Sequence, residues 1–316
     1  MRPTLEACLA MALSFFPTSI APQYVLTGQQ VYQAPAASSG VMNPMEYSGL
    51  RSGHSIKNGT KLRILPVGDS ITVGFKSDWD GGDGNGYLER LRENLSGNEV
   101  VFAGLEHHPE STMTDNYFAA WSGKTNKFIM ENVPPSLAQN PNVVLIHAGT
   151  NDMSPYPYIS LEGDDPAAAA ARLGRLIDVV VDALPDALVL VAMIINSCAK
   201  VQESNTLIYQ QLVPGVVDDR LNDGKKVIAA DFTEIPMGEL RDCVHPTNDG
   251  YKLLGDYWYD FLTQAPEDWI EDAQGPDPVR DDPNGVDGRA TLSFEVFALI
   301  LLVHLGAWTL SGEISG

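Results

Sequence analysis

Ser70 lies in the block Gly68-Asp69-Ser70-Ile71-Thr72, directly after the apolar run Leu62-Arg63-Ile64-Leu65-Pro66-Val67. An apolar run that breaks at Gly-Asp-Ser reads as a buried strand delivering a hydroxyl to the mouth of a sheet. That hydroxyl is a poor nucleophile near neutral pH and needs a base. His245 is the candidate base, and Asp242, three residues earlier, can hold its imidazole in the required tautomer and stabilise the imidazolium. Attack on an acyl carbon also needs donors preset for the oxyanion. The Ser70 backbone N–H at a helix N-terminus is one, and Gly104, whose missing Cβ lets backbone approach substrate, offers another. The Asn151 side-chain amide, within Gly149-Thr150-Asn151-Asp152, is the third. Asp69 and Asp152 read as supporting residues, with Asp152 capping the next segment or orienting the Asn151 loop. Each block alone has an ordinary explanation as a turn, a loop glycine, a helix cap or a surface pair. Together, in this order, they point to acyl transfer through a serine.

Residues this far apart in sequence can meet only if the fold returns to one edge. Apolar, β-rich runs recur at Leu62–Val67, Glu99–Ala103, Val143–His147, Ala187–Ile195 and Lys226–Asp231, nearly continuous rather than alternating, as in strands buried on both faces. Between them, Ala167–Leu184 carries one apolar stripe (Leu173, Leu176, Ile177, Val180, Val181, Leu184), and Asp249–Leu262 carries another. Pro214 is expected to kink or end the helix between the fourth and fifth runs. Strand alternating with helix predicts a parallel sheet covered on both faces, with right-handed crossovers and the loops after the strand ends gathered at one edge. Ser70, Gly104 and Asn151 each follow a strand in this scheme, and Asp242 and His245 precede the last helix.

Twenty basic against forty-one acidic side chains give a net charge of −21, which argues against nucleic acid or an anionic membrane as the main partner. The organisation read from the chain is a secretory leader over 1–21, a linker or arm over 22–60, a catalytic domain over 61–265, and an acidic linker with an apolar tail over 266–316. A leader implies export, and the sequons at Asn58 and Asn94 fit a glycosylated, secreted protein. Loss of Cys8 with the leader would leave Cys198 and Cys243, which form either one disulfide pinning the loop of the base or two buried thiols. Several other patterns fail on inspection. Gly123-Lys124-Thr125 resembles the end of a phosphate loop, but Phe118 stands where its first glycine belongs. The acidic stretch Asp78–Asp83 breaks the ligand order of a calcium loop, and His107-His108 lacks metal-ligand spacing, so no metal is expected.

The four blocks, ending in Asp242-Cys243-Val244-His245-Pro246, resemble those of the SGNH (GDSL-type) hydrolases. The sub-patterns Leu62–Thr72, Gly84-Asn85-Gly86-Tyr87 and His245-Pro246-Thr247-Asn248-Asp249-Gly250-Tyr251 are similar to the carbohydrate esterase group that includes acetylxylan esterases. The resemblance covers about residues 61 to 265 and implies a flavodoxin-like three-layer α/β sandwich with a five-stranded parallel sheet. It also implies no cofactor and catalytic positions at Ser70, Gly104, Asn151, Asp242 and His245, although Leu105-Glu106-His107-His108 departs from the small polar residues usual after the glycine. The expected activity is hydrolysis of short-chain acyl, above all acetyl, esters on a polysaccharide such as xylan through an acyl-enzyme on Ser70. A lipase, thioesterase or arylesterase of the same fold is the second reading, and a carbohydrate-binding relative without turnover the third.

Overall fold

Pro66 is the unusual residue of β1 (Lys61–Gly68), because a proline inside a central strand forfeits a ladder hydrogen bond. The neighbours of β1 explain why it is tolerated. On one side β1 pairs with β5 (Val143–His147) over Ile64–Gly68. On the other side two strands share its length, β2 (Glu99–Phe102) against Lys61–Ile64 and β4 (Tyr117–Ala120) against Val67–Gly68. The carbonyls of Ile64 and Gly68 accept from Ala103 N and Trp121 N on this second side. Pro66, two residues from each, therefore turns its missing N–H into the gap where β2 has ended and β4 has not begun.

The structure is a computed structural model that describes residues 43–49 and 56–280. The expected leader, most of the N-terminal arm and the apolar stretch after 290 lie outside the described residues. Among the described residues the sheet has seven strands. Beyond β5 lie β6 (Leu188–Met193) and β7 (Val227–Asp231), both parallel, while the short β3 (Glu106–His107) pairs antiparallel with β4 at the far edge. The five expected strands are β1, β2, β5, β6 and β7, and the β3–β4 hairpin is an addition to them. The order β2-β1-β5-β6-β7 is that of doubly wound flavodoxin-like sheets, whose order reverses between β1 and β5 and leaves a crevice at their carboxyl ends.

Alternate residues of β1 feed two cores. Leu62 and Ile64 pack with α2 (Leu88–Asn94) and α7 (Asn248–Gln264), around Trp258 and Phe261. Leu65 and Val67 pack on the other face with α3 (Asn126–Asn132), α4 (Pro134–Leu137), α5 (Pro166–Ala183) and α6 (Glu203–Asn222). The helix starts follow capping chemistry: Asp165 accepts from Ala168 N at 2.7 Å ahead of Pro166, and Thr247 Oγ1 accepts from Gly250 N at 3.0 Å.

Of the two outcomes expected at Pro214, termination does not occur, since α6 runs through it without ending. The buried stripe Tyr209, Val213 and Val217 and the Arg220–Asp178 ion pair to α5 (2.8 Å) hold both halves of α6 on the sheet, against a proline cost of about 3 kcal/mol. The domain also takes in more chain than 61–265. Met45 bridges the edge of β7 at Ala229 and Asp231, and Tyr47 stacks on Tyr257. At the other end Asp272 and Ala273 bond the backbone of Lys61, and the carbonyls of Gln274 and Gly275 receive the buried Arg63 guanidinium. The described residues up to Gly275 form one compact unit. The two sequons differ: Asn58 is exposed in the turn before β1, whereas the Asn94 amide donates to Asp256 Oδ1 at 2.7 Å.

Candidate active site

At the end of β1 the backbone turns at once into α1 (Ser70–Val73), a single helical turn closed by Gly74 in the left-handed conformation. Asp69 caps it, accepting from Ile71 N at 3.0 Å. This places Ser70 at the first helical position, where its N–H has no intrahelical acceptor. Ser70 Oγ lies 2.9 Å from His245 Nε2. His245 Nδ1 lies 3.0 Å from each Asp242 carboxylate oxygen. Asp242 Oδ1 also accepts from the backbone N of His245 at 2.9 Å, so one short loop fixes both the acid and the ring.

That loop is held from two sides. Cys243 is bonded to Cys198 in the segment after β6, and its carbonyl accepts from Cys198 N and Ser197 Oγ at 3.1 and 2.9 Å. On the opposite side, the α1–α2 connection supplies Lys76, whose ammonium meets Asp242 Oδ2 at 2.7 Å. Burial works against ionisation of Asp242, but the hydrogen bonds from Lys76 and from the amide and ring of His245 outweigh it. The carboxyl is held well below the usual carboxylate range. Burial lowers the basicity of His245, Asp242 opposes that, and the Lys76 charge adds to the lowering; the net direction is down. The arrangement favours a neutral His245 imidazole beside an ionised Asp242, the pairing a general base requires.

The Asn151 block follows β5, the strand adjacent to β1 on the site side. Asn151 Nδ2 donates one N–H to Lys124 O at 3.0 Å, and an amide has a second N–H to offer. Asp152 is fully buried and faces inward, accepting from Asn126 N at 2.8 Å and Arg172 Nε at 2.9 Å. It therefore caps α3 and ties α5 to the Asn151 turn, which is a positioning role. Desolvation pushes its carboxyl up to about 6 even beside Arg172.

Asp69 is likewise fully buried, and desolvation pushes it up to about 6 from the usual 3.8. Between these values the folded protein holds a proton that the unfolded chain has released, so the Asp69 contribution to stability falls as pH rises through that window. Asp69→Asn keeps the capping oxygen and carries no charge. Relative to the parent protein it is expected to gain about 1–3 kcal/mol at neutral pH, with the gap closing below about pH 4. Urea unfolding of both proteins across that range measures it, and a gap independent of pH would show that Asp69 does not titrate there.

Gly104 is not where the sequence reading needs it. β2 ends opposite Ile64, four residues before the end of β1, which is about 13 Å along a strand. The Gly104 N–H donates to Gln139 Oε1 at 2.8 Å, and Gln139 Nε2 returns a bond to Gly104 O at 3.1 Å. Its glycine is required for packing instead: a Cβ there would sit 2.3 Å from the backbone of Phe118, at a φ of 137°. The strand that reaches the rim is β4, whose Ala120 pairs with Gly68. Trp121 N then bonds Gly68 O at 3.1 Å, and Asn151 holds Lys124 O, so Gly123 lies in the turn between these two anchors, exposed and at φ 74°. The sequence signal for it was the four-residue apolar run Tyr117–Ala120 ahead of Trp-Ser-Gly, too short to stand out as a strand. Lys76 and Arg172 were also missed, because no motif surrounds either.

The profile of the GDSL-like Lipase/Acylhydrolase family matches residues 67–253, more than half of the chain. The chain belongs to this family. The matched GDSL-like segment begins at Val67, just before Ser70, and ends inside α7, so it contains every group described above. A multidomain esterase of Ruminococcus flavefaciens is 25% identical over 248 residues, covering 68% of this chain and 30% of that protein. The chain therefore spans under a third of that relative's length. The Clostridium thermocellum family 3 carbohydrate esterase superposes with a TM-score of 0.53 at 27% identity, over 65% of this chain and 98% of the other. A family 3 carbohydrate esterase from Talaromyces cellulolyticus shares the fold (TM-score 0.51, 20% identity, 64% and 97% covered).

Proposed function

We propose that this chain is a secreted serine esterase that removes short acyl groups, chiefly acetyl, from polysaccharide such as xylan. The hydrogen-bonded relay from Ser70 through His245 to Asp242 carries the reading. His245 takes the Ser70 proton as Oγ attacks the ester carbon, then returns it to the departing sugar hydroxyl, leaving an acyl-enzyme. Water activated by the same imidazole releases the acid. The Ser70 N–H, the second Asn151 N–H and the backbone of the Gly123 turn are the donors assigned to the oxyanion, with Gly123 in the place first given to Gly104.

Similarity to a family 3 carbohydrate esterase supports a sugar-ester substrate. So do exposed aromatic side chains on the flanking connections, Trp79 after α1 and the stacked pair Tyr156 and Tyr158 after the Asn151 turn. Aromatic faces suit sugar rings, and an acidic protein does not repel a neutral glycan. Export is supported by the leader-like N-terminus and by the Cys198–Cys243 bond, which persists in oxidising compartments.

Acetate release from acetylated xylan, acetylated chitin and triacetin, with p-nitrophenyl esters of increasing chain length, tests the substrate. Acetylated xylan and the acetyl ester are expected to lead, with at least about tenfold lower kcat/KM by the octanoyl ester. Equal or rising activity with chain length would favour a lipase or thioesterase. Failure of a fluorophosphonate to label Ser70 would return the chain to the binding-module reading.

A further inference from the structure

We propose that Lys76 is a positioning residue of this site, holding the Asp242 carboxylate toward the imidazole and setting, by its charge, the lower pH limit of activity. The inference rests on the serine-esterase reading above. Nothing in the four motif blocks contains Lys76, which lies six residues past the nucleophile in the α1–α2 connection.

The placement is specific and is held at a cost. Lys76 has φ 65°, a left-handed backbone that residues with a Cβ adopt only when their surroundings impose it. Neighbouring contacts do impose it. Phe75 O accepts from the Tyr251 hydroxyl of α7 at 2.9 Å, Ser77 N bonds Gly74 O, and Trp79 N bonds Lys76 O. The Phe75 ring packs on the His245 imidazole with centroids 4.7 Å apart. The Lys76 ammonium lies 5.2 Å from the Phe75 ring centre and 4.8 Å from that of Trp79, so two aromatic faces and the Asp242 carboxylate define its position. A second ion pair, Arg241 with Asp80, and the bond from Asn248 Nδ2 to Trp79 O at 2.9 Å clasp the same two loops together.

Asp242 Oδ1 meets two backbone amides as well as the ring, while Oδ2 meets Lys76 and the ring. Removing the ammonium would leave Oδ2 free to turn away from Nδ1. It would also remove the positive charge that, alongside the Asp242 carboxylate, acts on His245 among the described residues. Other ionisable groups near the loop do not substitute for it. Arg241 is engaged by Asp80 and Asn248, Tyr251 is fully buried and stays neutral, and Asp69 lies beneath α1 as its cap. A positive charge beside the relay disfavours the imidazolium, so neutral, competent His245 persists to lower pH. Without it the imidazole protonates more readily, and the acid limb of the kcat/KM profile moves to higher pH.

The test is the pH dependence of kcat/KM for p-nitrophenyl acetate in the parent protein, Lys76→Met and Lys76→Arg. Lys76→Asn is added because asparagine tolerates the left-handed backbone and removes the charge with little folding penalty. For Met and Asn, activity on the acid limb is expected to fall about three- to tenfold further than on the neutral plateau. Lys76→Arg, which keeps the charge, is expected to restore the parent limb. A uniform loss at every pH, or an unchanged profile in both neutral variants, would overturn the proposal while leaving Ser70 in place. Activity surviving in Ser70→Ala would instead remove the esterase reading on which it stands.

Discussion

Ser70→Ala is expected to lower kcat on p-nitrophenyl acetate by about 10⁴- to 10⁶-fold with the fold intact. The side-chain hydrogen bond that the change removes runs from Oγ to His245 Nε2, and α1 keeps its Asp69 cap. Thermal stability and circular dichroism should therefore match the parent protein. The donors for the oxyanion survive the change, which is why a residual rate above water is expected rather than none. His245→Ala should cost about as much, and the double variant should cost hardly more than either alone, because nucleophile and base act as one unit. Near-parental turnover in Ser70→Ala would mean that the hydroxyl at the end of β1 is not the attacking group, whatever its distance from His245.

Opening the Cys198–Cys243 bond is expected to produce the largest loss of stability. The bridged cysteines are 45 residues apart in sequence, and closing a loop of that length restricts the unfolded chain by about 4 kcal/mol. For a domain of this size the corresponding fall in Tm is about 10 °C. Catalysis should suffer as well, because Cys243 sits between Asp242 and His245 with a left-handed backbone at φ 67°. Without the bond, the tie from that strained residue to the segment after β6 is reduced to the hydrogen bonds its carbonyl accepts from residues 197 and 198. A displacement of the imidazole by about 1 Å costs on the order of 10²-fold in rate. The expected result for Cys198→Ser/Cys243→Ser is thus a lower Tm together with a kcat about 10- to 100-fold down and KM nearly constant. Parental kcat at the lowered Tm would show that the Lys76 side of the clasp alone keeps the loop in register.

Much of this architecture is readable from residue order because its signals are local and strong. Five continuous apolar runs, interleaved with amphipathic stretches, dictate a sheet covered on both faces, and a strand that ends in Gly-Asp-Ser dictates where the hydroxyl emerges. The Asp-x-x-His spacing is equally local, since three residues of one loop place both partners of the imidazole. Tertiary structure decided what depends on which strand ends where. β2 and β4 divide the length of β1 around Pro66, so the loop that follows the end of β1 at the rim is the one after β4, which carries Gly123, and not the one after β2, which carries Gly104. Pro214 continues its helix because burial of a neighbouring stripe exceeds a local penalty. Lys76 meets Asp242 across 166 residues of chain, a contact that no periodicity encodes, because it follows from two loops converging at one sheet edge.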